Sequence, residues 1–266
     1  MKKLAVIGKD VSKSLSPRIH KFIAEHTGNR LEYESISIPE SEFEREAEKL
    51  FCAYDGFNVT IPYKLGIIPY LDKIEGDAKV FGAVNTVRVS DKSGHNTDGS
   101  GFALMLKTNG IEVGGKDILL LGAGGAGRSV AKKLADGDAH VFVYDTRYES
   151  AKNLESEFKG VQAIEKIECK PYYAIINATG IGMHKTEGIS PVGEELLSKC
   201  TVAIDLIYTP EKSEFLRLAE NCGKKIINGR AMLFYQAYFA QCIYFEKPAN
   251  EKQAKELFEK FKEEVL

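Results

Sequence analysis

The sequence predicts an α/β protein of two domains, each built on a largely parallel sheet. Three observations carry that prediction. The chain has 266 residues, long for one compact core and comfortable for two. Short apolar runs alternate with helical patterns along it, as in β/α units. Near the middle, the apolar run Ile118-Leu119-Leu120-Leu121 stops at Gly122-Ala123-Gly124-Gly125-Ala126-Gly127, and helix-forming sequence follows from Arg128 through Leu134.

Leu4 to Ile7 reads as the first strand, because the run ends at Gly8. The basic start Met1-Lys2-Lys3 precedes too short an apolar run for a signal peptide. Pro17 to Glu25 reads as a helix, with Ser16 as N-cap and Pro17 at its first position. Leu31 to Ile38 alternates like a strand, and Glu40 to Leu50 is an amphipathic helix. Gly56 to Ile61 is a short strand ending at Pro62, and Ala83 to Val89 reads as another. Asp98 to Leu106 reads as a helix leading into the glycine turn, and the domain boundary is placed beside it. From Asp117 to Gly229 the strands are Ile118–Leu121, Val141–Tyr144, Tyr173–Asn177, Val202–Leu206 and Lys225–Ile227. Helices Ala231 to Phe245 and Asn250 to Val265 close the chain and are expected to pack back on the first domain. One domain then comprises residues 1–99 with 233–266, and the other residues 100–232.

The glycine turn carries its own chemistry. Gly122 permits the tight turn, Gly124 lets the backbone approach a pyrophosphate, and Gly127 lets helix pack close to strand. Ala123, Gly125 and Ala126 complete the loop, and the amides opening the helix would hold the phosphates. A second strand, His140-Val141-Phe142-Val143-Tyr144, ends at Asp145, about 20 residues on, as a dinucleotide-binding Rossmann unit requires.

Composition excludes several classes. The formal net charge of −2 offers no electrostatic reason for a nucleic-acid or anionic-membrane partner, and no apolar stretch approaches a membrane span. Five scattered cysteines without a C-x-x-C pair imply reduced, mostly buried thiols in a cytoplasmic protein. No His/Cys/carboxylate cluster has metal-ligand spacing, so no metal is expected. A monomer and a homodimer remain equally open.

Four polar clusters lie at strand ends or helix starts. Ser14 and Ser16 could both donate to a carboxylate at a helix start, or Ser16 could merely cap it. Asn58 and Thr60 alternate onto one strand face, with Lys64 just past the end, where a lysine is ordinarily a solvated charge. Gly82-Ala83-Val84-Asn85-Thr86 and His95-Asn96-Thr97-Asp98-Gly99 follow, the latter with Asp98 as a possible helix cap.

Together, and in this order, these clusters resemble the shikimate dehydrogenase family along nearly the whole chain. The resemblance rests on S-x-S-P, G-F-N-V-T-x-P-x-K, A-V-N-T, N-T-D-G, G-A-G-G-A-G and Asn177-Ala178-Thr179-Gly180-Ile181-Gly182-Met183. It continues through Asp205-Leu206-Ile207-Tyr208-Thr209-Pro210 and Asn228-Gly229-Arg230-Ala231-Met232-Leu233-Phe234-Tyr235-Gln236. It implies a substrate-binding domain and a Rossmann domain with the active site in the cleft between them, reducing 3-dehydroshikimate to shikimate with a nicotinamide cofactor. By resemblance, Ser14 and Ser16 hold the substrate carboxylate, with Tyr208 adding a hydroxyl. Thr60, Asn85 and Gln236 bind ring hydroxyls with Asn58 nearby, and Lys64 and Asp98 form the catalytic pair. Gly229 and Met232 lie against the nicotinamide, and Asn177 to Gly182, with Thr179, lie near ribose and diphosphate.

Hydride delivery to a ketone leaves negative charge on oxygen, which a lysine ammonium can stabilise and then protonate. A carboxylate beside the lysine orients it and balances its charge. Selection of a polyhydroxylated substrate calls for buried donors and acceptors.

The sequence departs from the family where NADP users carry Asn-Arg-Thr, here Asp145-Thr146-Arg147. An aspartate there binds a ribose 2′-hydroxyl and favours NAD, whereas Arg147 can pair with a 2′-phosphate and favours NADP. The family expectation is NADP, with NAD possible because of Asp145. Lys13 replaces a frequent histidine and Ser213 a frequent threonine. Two rival readings are a relative preferring quinate and NAD, and a non-catalytic nucleotide-sensing module. Retention of Lys64 and Asp98 argues against the sensor.

Overall fold

The computed structural model describes residues 1–265. They separate into two compact units, Met1–Leu104 with Phe234–Leu266, and Met105–Leu233. The first unit carries strands β1 (Lys2–Gly8), β2 (Leu31–Ser37), β3 (Gly56–Val59), β4 (Lys73–Ile74), β5 (Thr86–Arg88) and β6 (Ser93–His95). Its helices are α1 (Ser16–Thr27), α2 (Phe43–Ala53) and α3 (Asp77–Phe81), and α4 (Asp98–Thr108) leads out of it. The second unit holds β7 (Asp117–Leu121), α5 (Gly125–Asp136), β8 (His140–Tyr144), α6 (Tyr148–Glu157), β9 (Val161–Ala163) and β10 (Tyr172–Asn177). It continues with α7 (Glu194–Leu197), β11 (Cys200–Asp205), α8 (Glu214–Asn221) and β12 (Lys225–Ile227). Helix α9 (Arg230–Tyr244) leads back to the first unit, which α10 (Glu251–Val265) completes.

The first sheet runs β2-β1-β3-β5-β6-β4. β1 pairs parallel with both β2 and β3, but β5 is antiparallel to β3 and β6. The sheet expected to be largely parallel is so at three of its five pairings, β1–β2, β1–β3 and β4–β6, and β5 is the strand that departs from it. β5 and β6 are joined by a tight turn in which Lys92 takes a left-handed φ of 44° and Arg88 grips Asp91 at 3.0 and 2.5 Å. A hairpin this short reverses the chain, whereas a parallel partner would need a long crossover. The strand expected over Ala83 to Val89 shrinks to β5, since Val84 and Asn85 donate their amides to Lys64 O and His95 O.

β1 is buried on both faces, and period-two alternation divides its residues. Ala5 and Ile7 pack in a core with Phe57, Val59 and Val87, while Leu4 and Val6 meet Tyr33, Ala240 and Tyr244. On α10, Ala254, Leu257, Phe258 and Phe261 recur at helical spacing and are buried. Phe261 sits 5.1 Å, centroid to centroid, from both Phe22 of α1 and Phe234 of α9.

The second sheet is wholly parallel and runs β9-β8-β7-β10-β11-β12. Numbered within its unit this is 3-2-1-4-5-6, the Rossmann order, with the switch point between β7 and β10. Among the five thiols only Cys200 is buried, and Cys52 and Cys169 are exposed, which corrects the expectation of mostly buried cysteines. No helix among the described residues is long and apolar enough to cross a membrane.

Candidate active site

In the first unit the polar clusters converge on one carboxylate. The turn before α4 is closed by Asn96, whose Oδ1 accepts from Asp98 N at 3.0 Å and whose Nδ2 donates to Ala83 O at 3.0 Å. Asp98 therefore has no capping duty, and its side chain turns elsewhere. Its Oδ2 accepts from Lys64 Nζ at 2.6 Å and its Oδ1 from Asn85 Nδ2 at 2.8 Å. Lys64 is 21% and Asp98 13% exposed, so this is no solvated surface pair, and removing one partner would leave a charge poorly compensated. Lys64 is also held through its backbone, where its carbonyl accepts from Val84 N at 2.9 Å.

Asn85 is buried, with Oδ1 accepting from Thr97 N (2.9 Å) and Thr86 Oγ1 (2.8 Å). Asn58 Nδ2 donates to Asn85 O (3.1 Å) and Thr86 Oγ1 (3.2 Å), and Asn58 Oδ1 accepts from Tyr33 Oη at 2.7 Å. Gln236, buried at the α9 end of this unit, has Oε1 3.5 Å from Thr97 Oγ1. Thr60 stands partly buried past β3, where its amide donates to Ile7 O at 2.9 Å. Thr86, Thr97, Asn96 and Tyr33 were not singled out from sequence. The first three lie inside the A-V-N-T and N-T-D-G motifs, and Tyr33 gave no local signal.

At α1, Leu15 occupies the N-cap position rather than Ser16. Ser14 Oγ accepts from Ser16 N at 3.2 Å, so the entry is satisfied one residue earlier and the Ser16 hydroxyl is spared capping. Ser16 is buried and Ser14 half-buried, whereas Lys13 is exposed. Burial pushes the Tyr33 phenol well above its usual range.

In the second unit the glycine turn sits at the carboxyl end of β7. Gly122 has φ 98° and donates to Tyr144 O at 2.8 Å. A Cβ on Gly127 would lie 2.1 Å from Gly122 O, so only glycine fits there, while a Cβ on Gly124 or Gly125 would meet nothing within 4 Å. That open cradle, facing the first amides of α5, has the form a diphosphate needs. Gly127→Ala is expected to weaken dinucleotide binding about tenfold or more, roughly 1.4 kcal/mol, in a fluorescence titration. Unchanged binding would mean that α5 shifts without cost.

Asp145, at the end of β8, spends both oxygens on the backbone: Oδ2 accepts from Ala123 N (2.8 Å) and Oδ1 from Arg147 N (2.9 Å). The Arg147 side chain is 78% exposed, its Nε 3.9 Å from Asp145 Oδ1, and Thr146 is exposed beside it. Asn177 is buried and wholly engaged. Its Nδ2 donates to Ile181 O and Asp205 Oδ1, and its Oδ1 accepts from Thr179 N and Oγ1. It therefore shapes the loop Ala178 to Gly182 rather than facing outward. Asp205 also accepts from Ile207 N (3.0 Å) and the Ser213 hydroxyl, and Ser213 caps α8. Burial pushes the Asp205 carboxyl up, and those hydrogen bonds oppose the rise. The Ser213 hydroxyl thus both caps α8 and donates to Asp205. A Cβ on Gly229 would fall 2.0 Å from Leu206 O. Met232 is buried and Tyr208 half-buried, with burial raising the Tyr208 phenol. Among the described residues no group of three His, Cys, Asp or Glu could hold a metal ion.

A Rossmann unit with this turn, accompanied by a unit bearing a lysine–aspartate pair amid buried amides, has the parts of a dinucleotide-dependent dehydrogenase. Residues 6–87 match the family described as "Shikimate dehydrogenase substrate binding domain". The chain is 36% identical over 255 residues to the "Shikimate dehydrogenase (NADP(+))" of Carboxydothermus hydrogenoformans, covering 91% of this chain and 89% of that one. It is 37% identical over 259 residues to the protein of the same name from Caldicellulosiruptor saccharolyticus, covering 92% and 93%. Among solved structures, shikimate 5-dehydrogenase from Thermus thermophilus in complex with NADP(H) and shikimate superposes with a TM-score of 0.87. That pair is 33% identical, with 97% of this chain and 98% of that one covered. The chain belongs to the shikimate dehydrogenase family.

Proposed function

We propose that this chain catalyses the reversible NADPH-dependent reduction of 3-dehydroshikimate to shikimate. The observation that carries the reading is the Lys64–Asp98 pair at 2.6 Å, with Asn85 on the second carboxylate oxygen. Lys64 Nζ donates to the substrate carbonyl oxygen, stabilises the charge that develops there and gives up its proton to form the alcohol. Asp98 holds Lys64 in place and accepts from a neighbouring ring hydroxyl. Thr60, Asn85 and Gln236 take the ring hydroxyls with Asn58 beside them, and Ser14, Ser16 and Tyr208 take the carboxylate. A substrate lacking a hydroxyl leaves buried amides unpaired, which supplies the discrimination.

The glycine turn Gly122 to Gly127 would hold the dinucleotide diphosphate, with Thr179 alongside, and Gly229 and Met232 would lie against the nicotinamide. Bound there, the nicotinamide cofactor supplies the hydride. For its 2′ end we favour NADP. Asp145 has both oxygens on backbone amides, so its charge is partly compensated, while the exposed Arg147 guanidinium is suited to bidentate phosphate contact. The names of the relatives agree. The same carboxylate at a strand end is the one observation favouring NAD. A cytoplasmic location fits the five unpaired cysteines, two of them exposed.

The test is the initial rate of cofactor reduction with shikimate, run with NADP and NAD side by side. NADP should be preferred, and Arg147→Ala should raise the KM for NADP by about tenfold, or 1.4 kcal/mol, with that for NAD little changed. Preference for NAD would give Asp145 the decisive role and make quinate the next substrate. No turnover with either cofactor would sink the shikimate reading.

A further inference from the structure

We propose that Tyr33 and Thr86 are positioning residues, the buried beginning and middle of a one-way hydrogen-bond chain that aims the Asn85 amide at Asp98. The proposal rests on the function assigned above. The Tyr33 hydroxyl has one proton and gives it to Asn58 Oδ1 at 2.7 Å. That contact fixes the Asn58 amide with its nitrogen toward Thr86 Oγ1 (3.2 Å) and Asn85 O (3.1 Å). Thr86, having accepted there, gives its own single proton to Asn85 Oδ1 at 2.8 Å. The Asn85 nitrogen is thereby turned to Asp98 Oδ1 at 2.8 Å, and Asp98 Oδ2 holds Lys64. Every donor points the same way along Tyr33, Asn58, Thr86, Asn85 and Asp98.

The polarity of the chain decides which end of each amide faces which neighbour. An amide reversed at Asn85 would set a carbonyl oxygen against a carboxylate, an acceptor facing an acceptor. Tyr33, Asn58, Thr86 and Asn85 are all buried, Thr86 completely, so water is poorly placed to substitute for a lost donor. The Tyr33 ring is fixed in turn by His20, stacked on it at 4.3 Å with planes 14° apart. Thr97 N also donates to Asn85 Oδ1, so loss of Thr86 loosens the amide without freeing it. The expected effect is accordingly partial. Tyr33 and Thr86 act through Asn85 and Asp98.

The experiment compares Thr86→Val, Thr86→Ser and Tyr33→Phe with the parent protein, using shikimate and NADP. Thr86→Val should lower kcat about tenfold, corresponding to roughly 1.4 kcal/mol, with the Kd for NADP by fluorescence unchanged. The solvent deuterium isotope effect on kcat should rise as proton transfer from a misaimed Lys64 becomes more limiting. Thr86→Ser, which keeps the hydroxyl, should restore both, and Tyr33→Phe should fall between. In a Lys64→Ala background, Thr86→Val should cost nothing further, because the two act on one step. Thr86→Val turnover within twofold of the parent, or equal losses in Val and Ser, would overturn the proposal, as would an unmoved isotope effect. Loss of parent turnover would instead count against the assigned function, so the two failures are distinguishable.

Discussion

Lys64→Ala is expected to cut kcat for shikimate oxidation by roughly 10²–10⁴-fold, with KM for shikimate changed only a few-fold. The lysine ammonium serves the charge that appears on oxygen during reaction, and that charge is small in the ground state. Its loss should fall on the chemical step more than on binding. The deletion leaves the Asp98 carboxylate, 13% exposed, with the Asn85 amide still donating to it at 2.8 Å. Asp98→Asn should therefore also be slow, and the double variant should be far less impaired than the product of the two. Steady-state kinetics of the three variants, with folding checked by circular dichroism, decide the matter. A Lys64→Ala protein that turns over within threefold of the parent would remove the lysine from the mechanism.

Acid should unfold the protein earlier than its carboxylates alone require, because of His20. Burial holds this imidazole down to about 3, from the usual value near 6.5. The titratable groups that face it are Tyr33 and Tyr244, both uncharged phenols that burial pushes up, and neither ring nitrogen has a hydrogen-bond partner among the described residues. Above pH 6.5 the ring is neutral in folded and unfolded chains alike and costs nothing. Between 6.5 and 3 the unfolded chain takes up a proton that the folded one refuses, so stability falls with pH. At about 1.4 kcal/mol per pH unit, roughly 3 kcal/mol is lost by pH 4, a large share of ordinary domain stability. Urea unfolding at pH 7.5 and 4.5 should show this loss in the parent and much less of it in His20→Phe, which keeps an aromatic face for Tyr33. Equal losses in both proteins would exclude His20 as the cause. A separate loss belongs lower, below about pH 4, where Asp91 is held beneath the usual carboxylate range by Arg88 and Ser93.

How much of this was legible beforehand depended on the range of the interactions involved. The glycine turn was readable because its requirements are local. A positive φ at Gly122 and contact of Gly127 with Gly122 O arise within six residues and mark themselves as glycine. The reversal of β5 was not readable, since alternation reports which side a residue faces and not which way a strand runs. Lys64 and Asp98 are 34 residues apart, and spacing alone gave each a bland alternative. Only the order of motifs along the chain suggested a pair. The polarity of the Tyr33 chain lies further still from sequence, because it depends on which end of two amides faces which neighbour.

The unit that begins first is finished last. Met105–Leu233 interrupts it, and its closing segment supplies Phe234, Ala240, Tyr244 and Phe261 to faces that β1 and α1 present from the start. A ribosome moving at ordinary speed takes on the order of ten seconds to traverse the interruption. Throughout that time Leu4, Val6 and Phe22 lack their permanent cover, while the contiguous Rossmann unit has all its strands together. Vectorial synthesis therefore favours the nucleotide-binding half as the earlier to mature, and the unit carrying the lysine–aspartate pair as the natural client of whatever shields nascent apolar surface in the cell.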